Sequence, residues 1–137
     1  MRRLAWLPLL LLAACTDSDP SQVLVGQEPA SGTRLVVEQT TDRTQVWTLT
    51  CDPPGGDHPA PAAACGALAG LREPFAPLPA DVLCTEQYGG DQKARVTGTY
   101  RGAPVDLSLS RVNGCFISQW DRLGPLLPGP VGVDPPK

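Results

Sequence analysis

The sequence predicts an α+β fold, an antiparallel sheet of four to five strands with two helices packed on one face and two disulfides as staples. Three observations lead there. Two pairs of segments alternate apolar and polar side chains with the period of a half-buried strand. Two further stretches have the composition or the spacing of short helices. Finally, four cysteines remain for pairing once a fifth, near the N-terminus, is assigned to export chemistry.

The elements follow in chain order. Arg2 and Arg3 precede an apolar run over residues 4–12, about half of the ~20 residues that a membrane-spanning helix needs, so residues 1–14 read as a signal peptide. The run closes on Leu12-Ala13-Ala14-Cys15, which is similar to the lipobox of bacterial lipoproteins. The expectation is a lipid on Cys15 that ties the protein to the membrane. Residues 15–30 are polar, contain Pro20 and Pro29, and read as a flexible tether. The domain is placed at residues 31–123. Its first hairpin sets Thr33, Leu35, Val37 and Gln39 on one face, turns at Thr41-Asp42, and resumes with Gln45, Trp47 and Leu49.

Pro61 suits a first helical turn, the alanine-rich run to Ala69 favours helix, and Gly70 is the stop. A second hairpin runs from Lys93 to Tyr100 and from Ala103 to Val112, joined at Arg101-Gly102. Val105, Leu107 and Leu109 face the core there, and Asp106, Ser108 and Ser110 face water. Phe116, Trp120 and Leu123 then recur at helical spacing, which predicts a helix packed on the sheet and ended by Gly124-Pro125. Residues 124–137, with five prolines and three glycines, read as an irregular tail.

Composition excludes several function classes. Without residues 1–14 the chain keeps nine basic against fourteen acidic side chains, so it has no basic patch for nucleic acid. Cys51, Cys65, Cys84 and Cys115 are separated by 14, 19 and 31 residues with no C-x-x-C pair, which argues for disulfides and against a metal centre. Three pairings are open. The chain has one histidine, His58, set between Asp57 and Pro59, where a turn or capping role outweighs that of a catalytic base. No G-x-S-x-G occurs, so the chain reads as a non-enzyme without cofactor.

Thr48-Leu49-Thr50-Cys51, then Gly56-Asp57-His58-Pro59 leading to Cys65, then Cys84-Thr85 and Asn113-Gly114-Cys115 resemble the subtilisin inhibitor-like proteins of Streptomyces and related actinomycetes. The resemblance implies bridges between Cys51 and Cys65 and between Cys84 and Cys115. It also implies a reactive site at Glu86-Gln87, flanked by Cys84, Thr85 and Tyr88 and braced by Asn113, and it allows a homodimer. The implied partner is an extracellular serine protease.

Two features set this loop apart from the better-known inhibitors, which carry Met, Lys or another long side chain where Glu86 stands. Burying a carboxylate in the apolar pocket of a subtilisin costs several kcal/mol unless it is paired, so a glutamate-accepting protease competes with a subtilisin-like one as the target. Gly89-Gly90 predicts a flexible far side of the loop. The alternative reading is a non-inhibitory, lipid-anchored binding module with the same fold.

Overall fold

In the computed structural model, which describes residues 32–129, strand β1 (Thr33–Thr40) pairs antiparallel with β2 (Thr44–Cys51). Leu35 lies opposite Leu49, Val37 opposite Trp47 and Gln39 opposite Gln45, so the residues that alternate together in sequence share one face. A two-residue strand, β3 (Gly55–Gly56), adds to the outer edge of β2. On its other side β1 pairs with β4 (Lys93–Tyr100), which pairs in turn with β5 (Ala103–Ser110). The sheet order is therefore β3-β2-β1-β4-β5, antiparallel throughout. Arg101 and Gly102, both at positive φ, close the second hairpin in the tight turn that matches strand twist.

Helix α1 (Pro61–Ala69) and helix α2 (Gly114–Leu123) cover one face of the sheet. Leu35, Val37, Leu49, Val96, Leu107 and Leu109 meet Leu68, Trp120 and Leu123 there in a single buried cluster. Pro61 opens α1, and Gly70 caps its end with hydrogen bonds back to the last turn. Asn113 caps α2 through its side-chain oxygen, which accepts from the Phe116 N–H at 3.1 Å. Phe116 is only half-buried, so the core contribution of that stripe rests on Trp120 and Leu123.

The domain does not end at Leu123. Gly124–Leu126 forms a 3-10 turn, and Leu126 and Leu127 are buried in the core, so the tail expected from residue 124 does not start there. Proline and glycine suggested a tail, but the apolar pair between them gains more from burial than an extended strand in water would offer. His58 secures this return. Its Nδ1 accepts from the Ala60 N–H at 3.1 Å, which leaves the hydrogen on Nε2 to donate to the Leu126 carbonyl at 3.0 Å. The Gln39 side chain, on the core face of β1, donates to the Pro128 carbonyl at 2.8 Å.

The bridges join Cys51 to Cys65 and Cys84 to Cys115. The first ties the end of β2 to the middle of α1. The second ties the long connection between α1 and β4 to the first turn of α2. With 14 and 31 residues enclosed, the chain-entropy model gives about 3.0 and 3.7 kcal/mol.

Candidate functional site

Residues 70–92 connect α1 to β4 without regular structure. Connections of that length in a small domain are uncommon and usually functional. α2 organises the first part of this one. Arg122 donates from Nη2 to the carbonyls of Arg72 and Glu73, at 3.4 and 3.2 Å, and Gln119 donates to the Ala76 carbonyl at 3.3 Å. The chain then reaches Leu83, which is 97% exposed, and Cys84, where the bridge to Cys115 holds it.

Thr85, Glu86, Gln87 and Tyr88 follow, all exposed. The segment is fixed at both ends. Upstream, the Gly114 N–H donates to the Thr85 carbonyl at 3.0 Å, one residue from the bridge. Downstream, the Gly89 N–H donates to the Arg111 carbonyl at 2.7 Å, and Arg111 Nε donates back to the Gly89 carbonyl at 3.3 Å. An open cleft of about 550 Å³, lined among others by Leu78, Leu83, Thr85, Gln87 and Ser118, borders the segment. The hydrogen bonds and the bridge that hold the segment are therefore at its two ends, beside an open cleft.

Two glycines make the close approach possible. A Cβ on Gly114 would lie 2.0 Å from Thr85 Oγ1 and 3.7 Å from the Thr85 nitrogen, so the first residue of α2 leaves room for the Thr85 side chain as it stands. A Cβ on Gly89 would lie 2.8 Å from Ile117 Cδ1 and 3.2 Å from Arg111 Nε. Gly89 is buried and hydrogen-bonded on both sides, so the expected looseness of Gly89-Gly90 is replaced by a seat at Gly89. Backbone freedom in the unfolded chain says nothing about what the folded chain packs against a glycine pair.

The residues singled out in the sequence come together, with one shift of role. Cys84, Thr85, Glu86, Gln87 and Tyr88 form the exposed segment, and Asn113 stands beside it at the start of α2. The Asn113 oxygen is turned to the helix, and the hydrogen bonds that hold the loop come from Gly114 and Arg111 instead. The Tyr88 hydroxyl donates to Asp91, and this bond, together with the carboxylate charge, raises the phenol above its ordinary value. Arg111 was missed altogether. A charged residue just past a strand ordinarily faces water, yet this one is 5% exposed.

His58 is buried beneath the α1 cap, where its ring joins the Ala60 N–H to the Leu126 carbonyl. Among the described residues no group of His, Cys, Asp and Glu side chains could hold a metal ion, and no helix is long and apolar enough to cross a membrane. Cys15 and the lipobox-like segment lie outside the described residues.

Fold and site together define a small, disulfide-braced scaffold that presents a loop instead of a catalytic cluster. The chain belongs to the subtilisin inhibitor-like family, whose model matches residues 29–113. That is a family of inhibitors, not of enzymes. The chain is 39% identical over 74 residues to a subtilisin inhibitor of Streptomyces violaceus, a match covering 51% of this chain and 50% of that protein. It is 38% identical over 77 residues to subtilisin inhibitor-like protein 1 of Streptomyces cacaoi, covering 53% of this chain and 69% of the relative. The matched part thus spans about half the length of the first relative and about two thirds of the second. Among solved structures, sermetstatin of Streptomyces caespitosus, crystallised in complex with Bacillus licheniformis subtilisin, is similar with a TM-score of 0.43 and 24% identity. That match covers 67% of this chain and 96% of sermetstatin.

Proposed function

We propose that this protein inhibits an extracellular serine protease by presenting residues 84–88 as a substrate-like segment, with Glu86-Gln87 as the bond offered for attack. The observation that carries the reading is the run of four exposed residues suspended between a disulfide-anchored end at Cys84 and a buried, doubly hydrogen-bonded end at Gly89. A segment ordered before binding loses little conformational entropy when the enzyme closes on it, so the contacts it makes convert into affinity. Leu83 and Tyr88, both exposed, supply apolar surface on either side of Glu86. Family membership supports the same reading.

Glu86 sets the target. In the specificity pocket of the enzyme its carboxylate needs a cationic or hydrogen-bonding partner, and a largely apolar pocket would strip its water without return. The protease that fits is one that accepts glutamate. Glu86→Met should therefore raise inhibition of subtilisin, by about tenfold for each ~1.4 kcal/mol of desolvation relieved. The test is a panel of subtilisin, trypsin, chymotrypsin and a glutamate-specific protease, scored for inhibition and for the site of cleavage. Digestion by all four with no lasting complex would leave a non-inhibitory binding module as the account.

The proposal extends to location. A lipid on Cys15 would hold the inhibitor at the outer face of the cell membrane, where it would protect neighbouring proteins. The support is the Leu12-Ala13-Ala14-Cys15 sequence. Cys15→Ala should move the protein from the membrane fraction to the medium, and an unchanged distribution would refute anchoring.

A further inference from the structure

We propose that Arg111 is a positioning residue for the inhibitory cycle, a clamp that holds the leaving-group side of the Glu86-Gln87 bond so that the bond re-forms instead of being lost to water. The proposal rests on the inhibitor reading above. It begins from an asymmetry in the anchors. The upstream end of the loop is held covalently, by Cys84 and Cys115. The downstream end is held without a covalent bond, and Arg111 makes both hydrogen bonds to Gly89, one from its backbone and one from its side chain.

The guanidinium is unusually committed for a charged group. It is buried, it donates from Nη1 to the Asp121 carboxylate at 2.6 Å, and it lies 5.9 Å from the centre of the Trp120 ring. A buried charge is tolerated only when it is paired and hydrogen-bonded, and the planar fork of arginine serves two partners in fixed directions. Here the fork joins the loop to α2. A Cβ on Gly89 would lie 3.2 Å from Nε, so the loop backbone rests directly on this group.

The chemistry shows why the downstream anchor matters. When the serine oxygen of the protease bonds to the Glu86 carbonyl carbon, the bond to the Gln87 nitrogen breaks. The proton from serine passes to that nitrogen, which becomes a free amine. In the reverse step the amine attacks the acyl ester, the peptide bond returns and serine regains its proton. Hydrolysis competes, with water attacking the same carbon to release the Glu86 carboxylate. Which step wins depends on the effective concentration of the amine at the ester. Only Tyr88 lies between Gln87 and Gly89, so a fixed Gly89 confines the amine, two residue steps away, to within about 7 Å of its anchor. Without the Arg111 side-chain bond, Gly89 is held only through its N–H to the Arg111 backbone carbonyl, so the amine is confined less closely.

The test compares the purified full chain with its Arg111→Met and Arg111→Lys variants, against a glutamate-specific serine protease. Methionine keeps much of the stem but no donor. Lysine keeps the charge but has no planar fork for Gly89 and Asp121 together. The expected result is initial inhibition like that of the wild type, followed by about tenfold faster recovery of protease activity and accumulation of chain with Gln87 as a new N-terminus, equivalent to about 1.4 kcal/mol. Amide exchange at Gly89 should also accelerate while that of the β1 core amides does not. A role limited to stability would move the melting point and the core amides instead. Wild-type lifetimes in either folded variant would overturn the proposal, and if the methionine variant fails to fold, the lysine variant decides. A wild-type chain that is neither inhibitory nor cut at Glu86 refutes the inhibitor reading, in a lane that contains no variant, and removes the proposal with it.

Discussion

Replacing His58 with alanine should cost the protein several kcal/mol of stability and leave protease binding untouched. His58 is 3% exposed, and its ring satisfies two buried backbone groups that belong to different parts of the chain, the Ala60 N–H and the Leu126 carbonyl. Each group left unpaired costs about 1–3 kcal/mol, so the two together give about 2–6 kcal/mol. The ring also packs edge-on against Trp47, with centroids 6.0 Å apart, and its loss leaves a cavity under the α1 cap. Against the 5–15 kcal/mol that typically holds a domain together, roughly, this is a large share. The assay is urea unfolding followed by tryptophan fluorescence, with His58→Gln alongside. Glutamine offers one acceptor and one donor and should recover part of the loss. An alanine variant within about 1 kcal/mol of wild type would refute the argument that this ring joins the helix cap to the C-terminal turn.

Other predictions follow from the same geometry. Gly114→Ala places a methyl group 2.0 Å from Thr85 Oγ1, so inhibition should weaken. Unchanged inhibition would mean that Thr85 turns aside without moving the loop. Asp106 receives two hydrogen bonds from Arg95, which hold its carboxyl below the ordinary carboxylate range. The stabilisation is present above the unfolded-state value and is lost as pH falls through the folded one, so it belongs to the acid limb. Carbon-detected titration should place Asp106 below other exposed aspartates, and Arg95→Ala should return it toward them. Added salt should narrow the difference, since the pair is exposed.

Much of the sheet was legible because one of its faces is buried and the other is wet. Leu35 and Val37 in β1, and Val105, Leu107 and Leu109 in β5, announce their burial through alternation with polar neighbours. Trp120 and Leu123 do the same at helical spacing. β3 was not visible, since two glycines have no pattern to read. The 3-10 turn was hidden for a different reason. Gly124, Pro125 and Pro128 outvoted Leu126-Leu127 in a reading by composition, although the leucine pair was the signal that the chain returns to the core. The exposed loop segment was legible through the cysteine that begins it and the family pattern around it. Its downstream anchor was not. A buried arginine is recognisable only when its partners are known, and Gly89, Asp121 and Trp120 lie 22, 10 and 9 residues away in sequence. Local pattern cannot bring them together.

The central claim is that Glu86-Gln87 is a bond a protease attacks without profit. Its most direct test is to titrate a glutamate-specific serine protease with the purified protein and to follow enzyme activity and the state of the chain together. The account predicts that activity falls to zero near equimolar inhibitor. It also predicts that the bound chain is a mixture of intact protein and protein cut only between Glu86 and Gln87, whose two pieces separate on gels only after the Cys84–Cys115 bridge is reduced. Undiminished protease activity, with the chain degraded at several sites, would contradict it.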